Sequence, residues 1–428
     1  MSKLRLAYST IIALGSFVAA LGFALHSRGR PRLAERFGGW ALREREPLLW
    51  FHAASMGEVM GMRPVLQAAR RAFPELKLLL TATSTSGLAA AEDLVDHSHL
   101  LPFDSELWYR RALHECTLAG LVISETEIWP GLLGMMHQHG VPTLLINGRL
   151  SDFSIRNYRW LKPFLRGMNV MAFSKVLVPR EIHRERFMAL GIESNCIELV
   201  GNTKYEKPRS IATDAEALQL KRQCFSNDVL TFILASLRPG EEEVWFPAIQ
   251  GVRDLGMKLN VVVAPRHLER LEHFKRKMKE ANISFSAWSE FRDSSQVTSD
   301  CDSLLIDTYG DLERMFSFAD ATFVGATIID YGGHNPIEAA AYGNVLVVGP
   351  HVSNISDVID VLKEKKAVVQ VENEEQAFEF LQSFLSDPAR YSGHSTAARE
   401  LWRSSQGSTA RVVQVLRQVL GGKARAAA

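Results

Sequence analysis

Residues 48–82, LLWFHAASMGEVMGMRPVLQAARRAFPELKLLLTA, contain an apolar run, a longer stretch with helical spacing, and a second apolar run. The pattern predicts a strand at 48–53, a helix at 58–72 and a strand at 77–82. Two strands joined through one helix form a βαβ unit, in which the strands run parallel. The segment therefore indicates an α/β fold built on a parallel sheet.

The same alternation continues to residue 146 and starts again between residues 229 and 348. At 428 residues the chain also exceeds what one hydrophobic core usually organises. We therefore predict two Rossmann-like domains facing a central cleft, with their boundary in the polar stretch 203–213. The predicted ranges are a membrane anchor with its basic flank at 1–30, an N-terminal domain at 31–205, a C-terminal domain at 206–395, and a C-terminal helix and tail at 396–428.

Composition limits the classes of function. The 49 basic and 48 acidic residues leave a net charge of +1, which argues against strong non-specific binding of nucleic acid. The 4 cysteines lie far apart without CxxC spacing, so neither a disulfide framework nor a zinc site is indicated. We expect a folded protein in a reducing compartment, with any anion site confined to a local cluster of residues.

The N-terminus departs from this soluble pattern. Residues 6–25 carry no charge, and basic residues flank them on both sides. A helix of this length spans about 30 Å, the thickness of the hydrocarbon core of a bilayer. Three interpretations remain open: a membrane anchor, a cleaved signal peptide, and an amphipathic helix that lies at the membrane interface. The basic cluster that follows the run favours a body on the cytoplasmic side.

Carboxylates follow two of the predicted strands. Glu58 ends the sequence FHAASMGE, where it could accept a proton, although Ser55 and Glu58 also match a helix-capping box. Glu125 and Glu127 follow another strand in the sequence SETEIWP. Acids beside an apolar run are costly to desolvate unless they are paired, which favours a functional role. The simpler alternative is a helix start at Pro130, where acids stabilise the first turn.

Two loops in the second half could bind phosphate. Residues 236–243, SLRPGEEE, could present backbone N–H groups to a phosphate, or could form an ordinary turn into a helix. Pro265 and Arg266 close a strand and place a guanidinium at its carboxyl end, where bidentate contact with phosphate is possible. A solvated arginine is the alternative for Arg266.

Residues 332–338, GGHNPIE, form the most informative of these loops. Asn335, Pro336 and Glu338 suit the start of a helix, as its N-cap, first and third residues. Capping does not account for the two glycines or the histidine, and glycines allow a ligand to approach the backbone closely. We therefore expect this loop to bind a nucleotide through its N–H groups and its carboxylate. Residues 308–311, TYGD, have the same form.

A metal site is not indicated. Residues 300–302, Asp-Cys-Asp, match the short Asp-x-Asp pattern of some sugar transferases, but they precede a strand without a nearby third ligand. The sequence also lacks a GxxxxGK[ST] phosphate loop and a GxSxG elbow, which disfavours ATPase and hydrolase functions. We predict no metal and no cofactor.

Taken together, these segments resemble one family across roughly residues 35 to 360. That family is the Kdo transferases, which attach 3-deoxy-D-manno-octulosonic acid (Kdo) to the lipid A precursor. The matching segments are FHAASMGE (51–58), SETEIWP (124–130), NGRLS (147–151), GNTKY (201–205), PRH (265–267), DTYGDL (307–312), GGHNPIE (332–338) and GPH (349–351). An N-terminal apolar anchor is also typical of that family.

The resemblance implies a GT-B fold, with the lipid A precursor bound mainly by the N-terminal domain and CMP-Kdo mainly by the C-terminal one. It also implies that Glu58 is the general base and that Glu125 and Lys204 stabilise the transition state. The residues implied to bind CMP-Kdo are Pro265, Arg266, Tyr309, Gly310, Asp311, Asn335, Pro336, Ile337 and Glu338. The sequence departs from the family pattern at Leu237-Arg238, Gly131 and Ala339, where Thr-His, Asn and Pro are usual.

The implied reaction is an inverting transfer of Kdo at the cytoplasmic face of the cell inner membrane, without a metal or other cofactor. The implied partners are CMP-Kdo, the lipid A precursor and membrane lipid, with no nucleic acid. A pocket partly shielded from water predicts a raised pKa for Glu58. Two other functions remain open: a membrane-associated GT-B enzyme that uses a UDP-sugar, and a non-catalytic membrane-associated scaffold.

Overall fold

The structure, a computed structural model, describes residues 3–25, 32–206, 211–225, 229–290, 292 and 301–426. The chain divides into two compact units. Unit 1 consists of Met1–Glu206 and Ser405–Ala428, and unit 2 consists of Lys207–Ser404. Of the predicted C-terminal segment 396–428, residues 405–428 are assigned to unit 1.

Unit 1 is built on a seven-stranded parallel sheet. Its strands are β1 (Leu48–His52), β2 (Lys77–Ala82), β3 (His97–Leu100), β4 (Leu118–Ser124), β5 (Thr143–Ile146), β6 (Lys175–Val178) and β7 (Ile197–Leu199). Its helices up to residue 190 are α1 (Lys3–Leu25), α2 (Met56–Ala72), α3 (Thr85–Ala89), α4 (Glu106–Ala112), α5 (Pro130–Gln138), α6 (Asp152–Gly167) and α7 (Glu181–Leu190).

Unit 2 contains a second seven-stranded parallel sheet. Its strands are β8 (Thr231–Leu237), β9 (Asn260–Pro265), β10 (Ser286–Ala287), β11 (Ser303–Leu305), β12 (Ala321–Val324), β13 (Val345–Val348) and β14 (Val369–Gln370). Its helices are α8 (Asp214–Cys224), α9 (Glu242–Asp254), α10 (Leu271–Glu280), α11 (Leu312–Met315), α12 (Ile337–Tyr342), α13 (Ser356–Glu364), α14 (Glu374–Ser386) and α15 (Ser392–Ser405).

The central strands explain why the apolar runs identify the sheets. Every residue of β1 is buried, and so is every residue of β9, because helices cover both faces of a parallel sheet. The two parallel sheets confirm the predicted α/β class. The apolar N-terminal segment forms one helix, α1, and its part Lys3–Phe23 is long and apolar enough to cross a membrane, by length and composition.

The strand order of each sheet places the loops that matter for function. The order in unit 1 is β3-β2-β1-β4-β5-β6-β7, so the direction of winding reverses between β1 and β4. In unit 2 the order is β10-β11-β9-β8-β12-β13-β14, and the reversal lies between β8 and β12. Ligands of such sheets bind outside the carboxyl ends of the strands at these switch points.

The last helix, α16 (Ser408–Ala426), returns to unit 1. Val412 and Leu416 are fully buried and join the core that also contains Val59 and Leu66 of α2. This apolar contact makes the C-terminal helix part of the support for α2, which begins at the carboxyl end of β1.

Candidate active site

Glu58 lies in the first turn of α2, at the carboxyl edge of the unit 1 sheet. Ser55 is the N-cap of the helix, and its Oγ accepts the Glu58 N–H at 3.2 Å. The Glu58 carboxylate accepts the Ala54 N–H at 3.0 Å and the Ser55 hydroxyl at 2.8 Å. Glu58 therefore does stabilise the helix start, and the same contacts hold its carboxylate at the sheet edge.

Glu125 is the first residue after β4, and its backbone adopts the left-handed conformation with φ 57°. This conformation costs a non-glycine residue on the order of 1 kcal/mol, and such strain concentrates at functional sites. Its carboxylate, 14% exposed, is hydrogen-bonded to the Lys204 ammonium and lies 3.2 Å from the Arg149 guanidinium. Glu125 is thus shared by two cations.

Lys204 is held in a short 3₁₀ turn, Thr203–Tyr205. The Asn202 side chain accepts the Lys204 N–H at 3.0 Å, and the Asn147 side chain accepts the Thr203 N–H at 3.0 Å. The aliphatic part of Lys204 crosses α2 at Gly61, where a Cβ would lie 2.4 Å from Lys204 Cγ. The lysine can take this path only because position 61 has no side chain.

The charges of these residues act on one another. Burial, followed by the negative charge of Glu125, raises the pKa of Glu58, and the positive charge of Lys204 opposes the rise. The direction is the one expected from the sequence. Burial, followed by the negative charge of Glu58, raises the pKa of Glu127 to about 7. Unit 1 therefore groups three carboxylates with a lysine, and one of the acids changes protonation near neutral pH.

Two residues of this site cannot be assigned a defined role from the sequence alone. Arg149 lies in the segment NGRLS, and Glu127 is one of the paired acids of SETEIWP. Both segments are visible as motifs, but a motif does not say that Arg149 contacts Glu125 or that Glu127 faces Glu58. Those relationships depend on neighbouring strands of the sheet.

The loop at 236–243, which follows β8, does not have the predicted phosphate-binding arrangement. The buried Glu241 carboxylate accepts four backbone N–H groups, those of Arg238 at 2.9 Å, Ala326 at 2.9 Å, Thr327 at 3.0 Å and Ile328 at 3.1 Å. The Gly240 N–H is bonded to the Glu242 carboxylate at 2.7 Å. The phosphate-cradle interpretation is therefore wrong for these donors, because acids of the chain itself occupy them. Glu241 instead ties the loop after β8 to the loop after β12.

Positive side chains surround His334 in unit 2. Burial, followed by the charges of Arg266, Arg238 and His267, lowers the pKa of His334 to about 4, so its imidazole is neutral at pH 7. Within the part of the chain that the structure describes, its buried Nε2 has no hydrogen-bond partner. The Arg238 guanidinium stacks on the Tyr331 ring, 4.5 Å from its centroid. Arg238 is one of the departures from the family pattern.

A pocket of about 600 Å³ opens in this region of unit 2. The residues that line it are Arg238, Pro239, His267, Glu269, Arg270, His273 and Tyr331. Pro265 is the buried last residue of β9, and the exposed Arg266 follows it with its N–H bonded to the Leu237 carbonyl at 3.0 Å. Guanidinium and imidazole groups at the carboxyl ends of strands suit an anionic ligand.

The segment 308–311 is fixed mainly by contacts within itself. The Thr308 hydroxyl donates to the Asp311 carboxylate at 2.6 Å, and Gly310 has φ 90°, a conformation that favours glycine. Tyr309 is exposed. The structure thus leaves the tyrosine ring accessible, whereas Asp311 already has a partner in its own turn.

The segment 332–338 differs in detail from its prediction. Helix α12 begins at Ile337, so Pro336 occupies the N-cap position instead of the first turn, and Asn335 lies one residue earlier. Asn335 still accepts the Ile337 N–H, at 3.1 Å. Gly332 and Gly333 have φ 82° and 88°, and a Cβ on Gly333 would lie 2.7 Å from Ile355 Cδ1. Backbone conformation and packing against this neighbouring turn therefore require both glycines.

Possible metal ligands are not clustered in the described ranges. Among those residues no group of three or more His, Cys, Asp or Glu side chains is arranged to hold a metal ion. Asp300, the first acid of the 300–302 pattern, lies outside the described residues.

Comparison with known proteins identifies the family. The family model for 3-deoxy-D-manno-octulosonic-acid transferase (kdotransferase) matches residues 31–207, which include Glu58, Glu125 and Lys204. A 3-deoxy-D-manno-octulosonic acid transferase from Chlamydophila psittaci is 32% identical over 325 residues, which cover 74% of this chain and 72% of that protein. The chain belongs to the Kdo transferase family.

Other Kdo transferases align over most of both chains. The enzyme from Chlamydia trachomatis serovar D is 29% identical over 87% of this chain and 85% of its own length. The enzyme from Haemophilus influenzae is 26% identical over 92% of both chains. The resemblance found in the sequence is confirmed, and this Kdo transferase is a glycosyltransferase.

Solved structures bear on the fold of this Kdo transferase. A UDP-N-acetylglucosamine 2-epimerase matches 89% of this chain and 97% of its own, with a TM-score of 0.55 and 15% identity. The UDP-GlcNAc 2-epimerase of Neisseria meningitidis, bound to UDP-GlcNAc, matches 87% of this chain and 100% of its own, with a TM-score of 0.56 and 13% identity. At these identities the likeness concerns the fold alone, and it confirms the GT-B type.

Proposed function

We propose that this Kdo transferase moves Kdo from CMP-Kdo to a hydroxyl group of a lipid A precursor, with inversion at the anomeric carbon. One observation carries the proposal. Segments 51–58, 124–130 and 201–205 are far apart in the sequence, yet they bring together Glu58, whose pKa is raised, and a lysine paired with a second carboxylate. A base beside a fixed positive charge is what transfer to a hydroxyl group requires.

Glu58 is the proposed general base. The acceptor hydroxyl gives its proton to the Glu58 carboxylate while its oxygen bonds to the anomeric carbon of Kdo. The bond between that carbon and the phosphate oxygen breaks, and CMP leaves with the bonding electrons. A raised pKa supports the role, because a carboxylate whose pKa is closer to the working pH is a more effective proton acceptor.

Lys204 supplies positive charge in this proposal, and Glu125 positions it. A protonated lysine cannot accept the hydroxyl proton, but it can stabilise negative charge that develops on the reacting groups. Glu125 is unsuited to act as a second base, because Lys204 and Arg149 already occupy its oxygens. The left-handed backbone at Glu125 supports the role, since such strain is retained where a side chain must be held in one direction.

CMP-Kdo is the proposed donor, bound by unit 2. It carries a phosphate and the carboxylate of the sugar, and the cluster of Arg238, Arg266 and His267 offers matching positive charge. The accessible Tyr309 ring could stack on the base. The remaining proposed contacts come from Pro265, Gly310, Asp311, Asn335, Pro336, Ile337 and Glu338. We propose that these cationic side chains offset the charge of CMP without a metal ion or other cofactor.

The acceptor places the reaction at a membrane. A lipid A precursor is anchored in a bilayer by its acyl chains, and the apolar helix α1 belongs to unit 1, the proposed acceptor-binding unit. The basic residues Arg28, Arg30 and Arg32 in the sequence favour the cytoplasmic face of the cell inner membrane.

A single product analysis tests the proposal. Purified full-length protein is incubated with CMP-Kdo and a tetraacylated lipid A precursor, and the lipid is analysed by mass spectrometry. We expect an increase by one or more Kdo residues that persists when EDTA is added. Parallel reactions replace CMP-Kdo with UDP-GlcNAc. A product formed from the UDP-sugar, or no Kdo-containing lipid at all, would refute the proposed donor and acceptor.

A further inference from the structure

Helix α5 begins directly after the loop that carries Glu125 and Glu127. The first N–H groups of a helix have no partner within it and need an acceptor from elsewhere. The N-cap residue of α5 is Trp129, and an indole offers a donor but no acceptor. The start of this helix must therefore be completed by another part of the chain.

Asp104 supplies that acceptor. Its carboxylate accepts the Gly131 N–H at 2.9 Å and the Leu132 N–H at 3.0 Å, although Asp104 lies 27 and 28 positions earlier in the chain. Only 6% of Asp104 is exposed. An acid at the N-terminus of a helix is also favoured by the helix dipole. Asp104 thus fixes the point at which α5 begins.

Position 131 is shaped for this contact. A Cβ at Gly131 would lie 2.4 Å from the Asp104 carbonyl oxygen and 2.9 Å from its Oδ1. Asp104 can come this close only because residue 131 has no side chain. Gly131 is one of the departures from the family pattern, in which asparagine is usual at this position. In this chain the glycine therefore accommodates Asp104.

Two phenol groups hold the same carboxylate. The Tyr8 hydroxyl donates to Asp104 Oδ2 at 2.7 Å, and the Tyr109 hydroxyl donates to Oδ1 at 3.0 Å. Each carboxylate oxygen thus accepts one N–H group of α5 and one phenol of another helix. Tyr109 belongs to α4, and Tyr8 belongs to α1. Through this one carboxylate, the N-terminal helix is connected directly to the start of α5.

The loop between β4 and α5 is short and is fixed at both ends. Only residues 125–129 separate the strand from the helix. At the strand end, the Glu125 N–H is bonded to the Ile146 carbonyl at 2.8 Å. At the helix end, the position of the chain is set by Asp104. A shift of α5 would therefore move the side chains of Glu125 and Glu127, and displacements of about 1 Å are costly in catalysis.

We propose that Asp104 is a positioning residue for the transfer reaction and that Tyr8 of α1 acts through it. With the Tyr8 bond in place, Asp104 holds the start of α5 and thereby the direction of the Glu125 carboxylate toward Lys204. This role rests on the proposed function of Glu125 and Lys204. It is separate from attachment to the membrane, because the Tyr8 hydroxyl is directed at a buried carboxylate of unit 1.

Tyr8→Phe tests the connection with little change in shape. The substitution removes the hydroxyl group and keeps the ring, which lies 5.9 Å from the Phe164 ring. Initial rates are measured with the full-length protein in phosphatidylglycerol vesicles that contain the lipid A precursor, while CMP-Kdo is varied. We expect kcat to fall at least about fivefold. The KM for CMP-Kdo should stay the same, because unit 2 is the proposed donor-binding unit.

Ser16→Ala is the matched control. It also removes a hydrogen bond between α1 and α4, the one that the Trp108 indole donates to Ser16 Oγ at 3.2 Å, but this bond does not involve Asp104. Its kcat should be normal. Sedimentation with the vesicles should show that both variants bind the membrane as the unaltered protein does. Normal kcat for Tyr8→Phe, or an equal loss in both variants, would overturn the positioning role.

Hydrogen exchange gives a readout that does not depend on activity. Exchange of the backbone amides in residues 125–135 is measured by mass spectrometry for the three proteins. We expect Tyr8→Phe to exchange at least about threefold faster in this segment, because α5 has lost part of its support, and Ser16→Ala to be unchanged. Unchanged exchange in Tyr8→Phe would refute the connection. Absence of Kdo transfer by the unaltered protein would instead refute the proposed function, and the exchange result would still decide whether Tyr8 supports α5.

Discussion

The Lys204 ammonium is hydrogen-bonded to the carboxylate of Glu125, which lies 79 positions earlier in the chain. Arg149 lies 3.2 Å from the other oxygen of the same carboxylate. This arrangement separates the roles of the acids in unit 1. Glu125 binds cations, whereas Glu58 accepts hydrogen bonds from an N–H group and a hydroxyl and has a raised pKa.

Glu125→Gln should therefore lower activity without removing the base. The amide keeps the shape of the side chain but loses the charge that holds Lys204, so we expect kcat to fall about 100-fold. The negative charge of Glu125 raises the pKa of Glu58, so its loss should move the acid limb of the kcat–pH profile to lower pH. The measurement is kcat between about pH 5 and pH 9.

Glu115→Gln is the matched control for this change, because Glu115 is an exposed acid that pairs with Arg43 at 3.3 Å. It should leave kcat and its pH profile unchanged. An acid limb of Glu125→Gln that moves to higher pH would contradict the proposed electrostatic coupling.

Gly61→Ala should displace Lys204. The added methyl group would occupy space now filled by the aliphatic part of the lysine, 2.4 Å from Cγ. Because small displacements of positioned groups are costly in catalysis, we expect kcat to fall at least about tenfold. Gly393→Ala is the control, since it also lies in a helix and a Cβ there meets nothing within 4 Å. Normal kcat for Gly61→Ala would show that the position of Lys204 is unimportant.

Glu127→Gln should stabilise the fold in a pH-dependent way. The folded-state pKa of Glu127 is about 7, above the ordinary 4.5, so the unfolded chain ionises first as the pH rises. The folded state consequently loses stability between roughly pH 4.5 and 7 and does not regain it above that range. Glutamine removes this loss. We expect an unchanged Tm near pH 4.5 and a Tm higher by about 2 to 4 °C at pH 8.

The same thermal unfolding series on Glu115→Gln provides the comparison, because that carboxylate is exposed. Its effect on Tm should be small and should not grow between the two pH values. A lower Tm for Glu127→Gln at pH 8 would mean that the ionised acid stabilises the site, contrary to the sign that its raised pKa predicts.

Glu241→Ala should destabilise unit 2. The substitution leaves four backbone N–H groups without their acceptor in a buried region, so we expect a loss of about 3 kcal/mol or more in the free energy of unfolding. Chemical denaturation monitored by tryptophan fluorescence measures the change. Glu243→Ala, an exposed neighbour in α9, should cost little. Equal stability of the two variants would contradict the structural role of Glu241.

Much of the fold could be predicted from the sequence, because strands buried on both faces need continuous apolar runs. The predicted strand at 48–53 corresponds to β1, and the predicted strand that Pro265 and Arg266 close corresponds to β9. The predicted alternation omits the interior strand β6, which lies in the gap between residues 146 and 229, and it also omits β3, β7, β10 and β14, which lie at the edges of the two sheets. The sequence of β3, HSHL, shows why, since its side chains are mostly polar and partly exposed.

The candidate site could be predicted only in part. Motifs and strand ends indicate Glu58, Glu125 and Lys204 as candidates, but they do not show which acid is paired. The Glu125–Lys204 bond joins different strand ends, and Glu241 meets Thr327 from 86 residues away. Such contacts depend on strand order, which local patterns do not contain.

The most direct test of the proposed mechanism is the rate of Kdo transfer by Glu58→Gln in a single turnover, with enzyme in excess over the lipid A precursor and CMP-Kdo saturating. Glu58→Gln keeps the size of the side chain but cannot accept a proton, so we expect the rate to fall about 1000-fold while binding of CMP-Kdo is unchanged. Glu115→Gln should react at the normal rate. Transfer by Glu58→Gln within a few-fold of normal would show that another group takes the proton.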